Sequence, residues 1–324
     1  MKDKNTIGVI LLNLGGPERL EDVEPFLFNL FSDRALIRLG PAFLQKPLAR
    51  LIARKRAPKS KKNYQQIGGG SPLLTITSQQ AHELERLLAQ DGSYLVRPCM
   101  RYWHPFAHEV LPEILQKNIQ KLIALPLYPH YSIATSGSSF ADLKAATSRL
   151  DSTVHIKTIP SWPTEPDYIA SLVEKIEETV SQFDGEPVQI VYSAHSLPVR
   201  FIEEGDPYVK ELQQTIKALE KKTHRQGVLC YQSRSGPVKW LEPSLQEMLE
   251  KLANQRCKNL VVVPISFVSD HVETLYELEI EYREVAEHLG MRYKVTGGLN
   301  SSPKFIEGLR KLVLRASEIA AYEY

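Results

Sequence analysis

The sequence predicts an α/β protein with mainly parallel sheets, arranged in two halves. Short apolar, β-branched runs recur at Ile7–Leu14, Leu95–Arg101, Leu122–Leu127, Val154–Ile159, Val188–Ser193, Val228–Gln232, Leu260–Ile265 and Tyr293–Thr296. Several carry no polar interruption, which suits strands buried on both faces. Amphipathic stretches of helical period follow most of them. In Tyr168–Phe183, for example, Ile169, Leu172, Val173, Ile176 and Val180 fall on one stripe. Strand alternating with helix is the pattern of parallel α/β sheets. The halves are suggested by a weak internal repeat, Lys121-Leu-Ile-Ala-Leu-Pro126 against Lys258-Asn-Leu-Val-Val-Val-Pro264. Each meets a proline near its carboxyl end, and a loop of polar and aromatic residues follows. Buried strands also resemble one another by chance, so duplication stays open.

Composition narrows the class. The chain has 324 residues, 43% hydrophobic and 24% charged, with a net charge of +2. These are the proportions of a globular domain protein, and bulk basicity does not argue for nucleic acid. The charge is unevenly spread, however. Lys46 to Lys62 holds eight basic residues and no acidic one, whereas Asp270 to Glu287 holds seven acidic residues against Arg283 and His271. Such polarity points to separate sites for an anion and a cation. Cys99, Cys230 and Cys257 form no C-x-x-C pair, which argues against a disulfide framework or a Cys-built metal centre and favours a reducing compartment. Lys2, Asp3 and Lys4 precede an apolar run too short for a signal peptide. No run approaches the ~18 residues of a membrane span. A cytoplasmic protein is expected, with peripheral membrane contact left open.

Taken in chain order, the first strand leads into Gly15-Gly16-Pro17. The basic stretch is interleaved with Leu48, Leu51 and Ile52 and preceded by Phe43 and Leu44. It is either a solvated basic helix or an amphipathic surface for a carboxylated apolar ligand or anionic lipid. Gly68-Gly69-Gly70-Ser71-Pro72 and Thr135-Ser136-Gly137-Ser138-Ser139 are further glycine loops. None fits G-x-G-x-x-G or a P-loop, so each alone reads more simply as a turn. Two prolines in Trp162-Pro163-Thr164-Glu165-Pro166 break the pattern and suggest a domain boundary. The final helix, roughly Pro303 to Ala321, carries Phe305, Leu309, Leu312 and Ala316 on one stripe and is expected to pack on the body. Domains are therefore expected over 1–163 and 164–300, with 301–324 returning to pack.

Two segments carry chemistry. His195, in Val191-Tyr-Ser-Ala-His195-Ser-Leu-Pro198, is expected just past a buried strand, where α/β folds place functional groups and where an imidazole can accept a proton. Ser193 and Ser196 lie outside G-x-S-x-G, so a hydrolase triad has little support. The run Ser269 to Glu281 should open a helix, with Asp270 as N-cap and Glu273 completing a capping box. Capping leaves Glu277 and Glu281 unexplained. At i, i+4 and i+8, Glu273, Glu277 and Glu281 share a face and repel by roughly 0.2–0.5 kcal/mol per pair. A bound or passing divalent cation would offset that repulsion, and carboxylates with an imidazole suit one held loosely.

At these residues the sequence resembles the ferrochelatase family. Ser193-Ala-His-Ser-Leu-Pro198, continuing to Gly205-Asp-Pro-Tyr208, is similar to the family signature, and Ser269-Asp-His-Val-Glu-Thr-Leu-Tyr-Glu-Leu278 to its second motif. Leu12-Asn-Leu-Gly-Gly-Pro17, Tyr64-Gln-Gln-Ile-Gly-Gly-Gly-Ser-Pro72, Tyr128-Pro-His-Tyr-Ser132 and Gln232-Ser-Arg-Ser-Gly-Pro237 through Trp240 match as well, in family order. The resemblance implies a chelatase-like fold of two Rossmann-like domains, each with a parallel four-stranded sheet flanked by helices, and a porphyrin held in a cleft between them. It implies insertion of Fe2+ into protoporphyrin IX, the terminal step of haem synthesis. His195 would take protons from the pyrrole nitrogens, and Glu273 would work with it in metal delivery and proton removal. Asp270, His271, Glu277 and Glu281 would line the metal path. Leu14, Leu30, Phe31, Leu36, Ile37, Trp240 and Phe267 would surround the macrocycle. Arg56, Tyr64 and Ser71 would hold its propionates, with Arg101 and Tyr131 as further polar pocket residues. Apolar walls with a basic rim are what a flat ring with carboxylate arms requires.

Two departures shape the expectation. Some family members hold an iron–sulfur cluster with a Cys-rich tail and one internal Cys. Here the sequence given ends at Tyr324 without such a tail and Ile133 takes the internal position, so no cluster and no cofactor beyond the substrate metal are expected. Members acting on coproporphyrin often have tyrosine where this chain has Leu14, which leans toward protoporphyrin IX. Partners are limited to these small molecules, with transient contact to neighbouring haem-pathway enzymes left open. The rivals are a chelatase of another tetrapyrrole and a porphyrin carrier that needs no base.

Overall fold

The computed structural model describes residues 6–117, 119–150 and 154–319. Lys2, Asp3 and Lys4, and the expected helix end at Ala320 and Ala321, lie outside these residues. Among the described residues, eight strands form two parallel four-stranded sheets. The first contains β1 (Ile7–Asn13), β2 (Tyr94–Met100), β3 (Lys121–Pro126) and β4 (His155–Thr158) in the order β2-β1-β3-β4. The second contains β5 (Gln189–His195), β6 (Gly227–Gln232), β7 (Asn259–Pro264) and β8 (Arg292–Val295) in the order β6-β5-β7-β8. The two orders are the same pattern. β3 and β7, the strands that resemble each other in sequence, hold equivalent places, and a π-helical segment follows each, at Ile133–Gly137 and Glu273–Tyr282.

Contacts within the chain divide it into one unit of Met1–Ser161 with Phe305–Tyr324 and a second of Trp162–Lys304. In the first, the helices are α1 (Val23–Ser32), α2 (Gln45–Gln66), α3 (Leu73–Leu88), α4 (Ala107–Leu115) and α5 (Ser138–Ser148). Ile10 and Leu12 of β1 pack with Leu122 and Ala124 of β3 against Val110, Leu111 and Ile114 of α4 and Leu143 of α5. Their neighbours Val9 and Leu11 are buried as well. Both faces are covered, hence the unbroken apolar runs.

In the second unit the helices are α6 (Pro166–Ser181), α7 (Val199–Glu203), α8 (Tyr208–Thr223), α9 (Leu245–Asn254) and α10 (Arg283–His288). Leu245, Met248, Leu249 and Leu252 of α9 bury one stripe against Val191, Cys230, Leu260 and Val262 of the sheet. The capping box of α9 fixes its start: Ser244 Oγ accepts from the Glu247 N–H, and the Ser244 N–H donates to Glu247. The final helix α11 (Pro303–Ile319) leaves the second unit and joins the first from Phe305. There Arg310 clasps Asp91 through two 2.7 Å hydrogen bonds, and Ser317 meets Tyr94 at 3.3 Å.

Candidate active site

In an open α/β sheet the crevice beyond the carboxyl ends opens where the strand order reverses. That point lies between β5 and β7 in the second unit. His195 is the last residue of β5, rather than just past the strand as the sequence suggested. Its backbone N–H donates to Ser266 Oγ at 3.0 Å, and its carbonyl accepts from the Tyr208 hydroxyl at 3.0 Å. The residue is thus fixed from both sides. Glu273 opens the π-helical segment that follows β7. Its Oε2 lies 2.8 Å from His195 Nδ1. A carboxylate accepts only, so Nδ1 carries the proton and Nε2 becomes the nitrogen able to accept one.

The electrostatics agree with this assignment. Burial alone would lower the His195 pKa, but the charge and hydrogen bond of Glu273 outweigh it and leave it raised. Burial would raise the Glu273 carboxyl, but the His195 charge and hydrogen bond hold it well below the usual carboxylate range. Glu277 shows the opposite balance. Burial, reinforced by the charge of Glu273, pushes it up to about 7. Ser233 joins the two acids. Its N–H donates to Glu277 Oε1 at 2.8 Å, and its Oγ lies 2.9 Å from Glu273 Oε2 and 2.5 Å from Glu277 Oε2. A hydroxyl has one hydrogen, so both contacts are hydrogen bonds only when one of the two acids carries a proton and donates it. The raised Glu277 carboxyl is the one suited to do so. Gln232 completes the frame: its Oε1 accepts from Ser193 at 2.6 Å, and its Nε2 donates to the Glu273 carbonyl at 3.2 Å.

The capping expectation for Asp270 is overturned. Val272 precedes the helical segment without a side-chain cap. The Asp270 carboxylate instead accepts from Asn300 Nδ2 (2.7 Å), the Gly298 N–H (3.2 Å) and Thr274 Oγ1 (3.2 Å). The Asp270 N–H goes to Asn300 Oδ1 at 2.9 Å, taking the partner that a capping box would assign to Glu273. Long-range partners win because Glu273 is drawn to His195. The stripe also divides: Glu273 and Glu277 converge on Ser233, while Glu281 is exposed. His271 is buried, and its Nδ1 donates to the Ser269 carbonyl at 3.0 Å. Burial depresses its pKa, so it is a neutral imidazole. Phe267 stands edge-on to both rings, 6.2 Å from His195 and 4.4 Å from His271. Trp240 belongs to the segment bridged to Pro198, beyond the His195 loop. Among the described residues, no three His, Cys, Asp or Glu side chains form a ready-made metal site.

In the first unit the same place in the fold, beyond β1 and β3, holds Leu14, Tyr64, Ser71 and Tyr131. Gly15–Pro17 follows β1, and the Gly68–Pro72 loop lies on it. The Ser71 N–H donates to the Pro17 carbonyl at 2.7 Å, and a Cβ on Gly16 would come within 2.6 Å of Ser71 Oγ and 4.0 Å of the Tyr64 hydroxyl. Gly16 is therefore what lets Ser71 meet the turn after Leu14, with the Tyr64 hydroxyl in ordinary contact range beside it. Residues 135–139, expected as a glycine loop, are helical instead, and Tyr131 contacts them, since a Cβ on Gly137 would lie 2.9 Å from its hydroxyl. Leu14, Leu30, Leu36 and Ile37 are half-buried and Phe31 is buried. Arg56 is exposed, with its guanidinium 5.4 Å from the Phe31 ring.

Arg101 is held by a hydrogen-bond network in the first unit. It donates to Asp33 and Ser138, each at 2.8 Å. Asp33 also accepts from the Tyr102 hydroxyl (2.8 Å) and Ser138 Oγ (2.7 Å), and these partners outweigh burial and lower its pKa. Asp33, Ser233 and Gln232 are the members that sequence reasoning missed as site residues. Ser233 and Gln232 stood in a quoted motif without a role. Asp33 is the last acid before Glu83 in an otherwise basic stretch, a signal that could have been followed.

Comparison with known proteins settles the family. The ferrochelatase family model matches residues 6–317. The chain belongs to the ferrochelatase family. It is 53% identical over 310 residues to the ferrochelatase of Desulfotalea psychrophila, covering 96% of this chain and 97% of that one. With the ferrochelatase of Geobacter metallireducens it shares 49% over 313 residues, 95% and 98% of the two chains. Among solved structures, the sirohydrochlorin chelatase SirB of Bacillus subtilis subspecies spizizenii in complex with cobalt superimposes with a TM-score of 0.59 at 10% identity, over 98% of both chains. That likeness supports the chelatase fold alone. The family is an enzyme family, so the chain is a metal chelatase, a lyase of haem synthesis.

Proposed function

We propose that this ferrochelatase inserts Fe2+ into protoporphyrin IX through the pair His195 and Glu273. The observation that carries the assignment is the 2.8 Å contact between His195 Nδ1 and Glu273 Oε2, which orients the ring and makes Nε2 the acceptor. Metallation replaces two pyrrole N–H bonds by bonds to iron, so two protons must leave. His195 Nε2 takes the two pyrrole protons in turn, releasing the first to solvent before it accepts the second, while Nδ1–H donates to Glu273, whose carboxylate stabilises the imidazolium formed each time. The same two side chains meet the metal, one nitrogen and one oxygen with no thiolate, a set that holds Fe2+ loosely enough to release it. Glu277 and Glu281 belong to the path of metal delivery, with Asp270 and His271 at its edge. Leu14, Leu30, Phe31, Leu36, Ile37, Trp240 and Phe267 wall the macrocycle. Arg56, Tyr64 and Ser71 receive propionates, and Arg101 and Tyr131 complete the polar pocket. The domain division is part of this reading: 1–163 carries the porphyrin lip, 164–300 carries His195 and Glu273, and 301–324 packs back.

Three finer points belong with it. The absence of an iron–sulfur cluster is supported by the cysteines. Cys99 and Cys230 are buried inside separate sheets, and burial pushes both thiols up to about 12, far from the thiolate a cluster requires. Leu14 favours protoporphyrin IX over coproporphyrin III. The chain is cytoplasmic and touches a membrane only peripherally. Among the described residues no helix is long and apolar enough to cross one, while Phe43 and Leu51 are 78% and 65% exposed beside the exposed bases Lys46, Arg50, Arg54 and Lys55. Anaerobic mixing of the protein with Fe2+ and protoporphyrin IX, followed by loss of porphyrin fluorescence, tests the function. Coproporphyrin III serves as the parallel substrate. Faster loss with protoporphyrin IX is expected. Tight binding of both without turnover would overturn the proposal in favour of a carrier.

A further inference from the structure

We propose that Ser233 is a positioning residue for metal insertion, holding Glu273 against His195 by tying it to Glu277. This rests on the assignment of His195 and Glu273 above. Ser233 follows directly on β6 and has a backbone φ of 63°, in the left-handed region that residues other than glycine rarely enter. Strain of that kind persists where the surroundings over-determine it. Here the left-handed turn brings the N–H and the hydroxyl of one residue to the same side. The N–H binds Glu277 Oε1 (2.8 Å), and the hydroxyl lies between Glu277 Oε2 (2.5 Å) and Glu273 Oε2 (2.9 Å). The Glu273 oxygen so engaged is the one that meets His195 Nδ1.

The geometry gives the hydroxyl a task. Two half-buried carboxyl groups one helical turn apart stay together only where a group bonds to both, and the Ser233 hydroxyl is placed to do so. A carboxylate on a flexible glutamate side chain has other rotamers to visit. Gln232 does not replace the clamp, because its Nε2 reaches the Glu273 carbonyl (3.2 Å) and only the outer range of Glu277 Oε2 (3.5 Å). Without the Ser233 hydroxyl, Glu273 is held by His195 alone.

Ser233→Gly separates this task from a merely structural one. Glycine keeps the N–H and suits a positive φ, so only the hydroxyl is lost. The expected result is a melting temperature at or above that of the wild type, a KM for protoporphyrin IX within about twofold, and a kcat lower by about tenfold or more. Ser233→Ala should show the same loss of kcat with a lower melting temperature, since alanine keeps the strain. A kcat for Ser233→Gly within about twofold of the wild type would overturn the proposal. So would a raised porphyrin KM with unchanged kcat, which would place Ser233 in substrate binding. His195→Ala measured alongside keeps the two levels apart. If it turns over like the wild type, the site assignment itself fails; if it is inactive while Ser233→Gly is normal, only the clamp does.

Discussion

Replacing Glu277 by Gln should stabilise the folded chain at alkaline pH and leave it unchanged in acid. Glu277 titrates near 7 in the folded protein because burial, with Glu273 beside it, penalises its charge. In the unfolded chain an ordinary glutamate titrates at about 4.3. The folded state therefore binds this proton more tightly, and stability falls as pH rises between those two values. Each pH unit of that interval is worth about 1.4 kcal/mol, which bounds the loss at about 4 kcal/mol. Relaxation of a partly solvated pair reduces this to about 1–3 kcal/mol. Glutamine avoids the cost. Its Oε1 can still accept from the Ser233 N–H, and its Nε2 can donate to Ser233 Oγ where the protonated carboxyl does now. Urea unfolding of wild type and Glu277→Gln at pH 8 and at pH 4 tests this. The variant should be the more stable by about 1–3 kcal/mol at pH 8 and equal at pH 4. A difference that does not change with pH, or a variant that is weaker at pH 8, would refute the reasoning.

Other expectations follow from the same geometry. Glu273 raises the His195 pKa above its usual 6.5, so the acid limb of kcat/KM should lie above that value. In Glu273→Gln the limb should move to lower pH while kcat falls severely; an unmoved limb counts against the pairing. Asp33→Asn should cost about 3 kcal/mol in chemical unfolding at neutral pH, because it leaves Arg101 without its nearest carboxylate. That difference should shrink in acid, since the lowered Asp33 pKa contributes stability only above the unfolded value and loses it as pH falls. Replacing Phe43 and Leu51 by Ser should reduce sedimentation with vesicles containing anionic lipid and leave solution turnover intact; equal binding by wild type and variant would dismiss the membrane contact.

The fold was legible because its strands are buried on both faces. Val9 to Leu12 and Leu260 to Val263 have to be apolar throughout, and the runs show it. The repeat of β3 in β7 likewise reflects equivalent places in two sheets of one topology. His195 was legible as a functional group from its strand-end position, although the strand extends to include it. What failed was local logic applied to a residue with distant partners. Asp270 and Glu273 have the spacing of a capping box, yet Asn300 and His195, thirty and seventy-eight residues away, claim them. The π-helical winding from Glu273 to Tyr282 left no trace in the apolar period. Ser233 is silent in sequence because its role depends on a positive φ and on two acids that only folding assembles. Asp33 is legible as an isolated acid, but its bonds to Arg101, Tyr102 and Ser138 are not.

The central claim is that His195 is the base of metal insertion, and His195→Ala tests it most directly. Porphyrin affinity, measured by fluorescence quenching, and anaerobic Fe2+ insertion should be compared on the same preparations. The account predicts protoporphyrin binding close to that of the wild type with turnover abolished. Substantial turnover by His195→Ala, or loss of turnover traceable to loss of porphyrin binding, would contradict it.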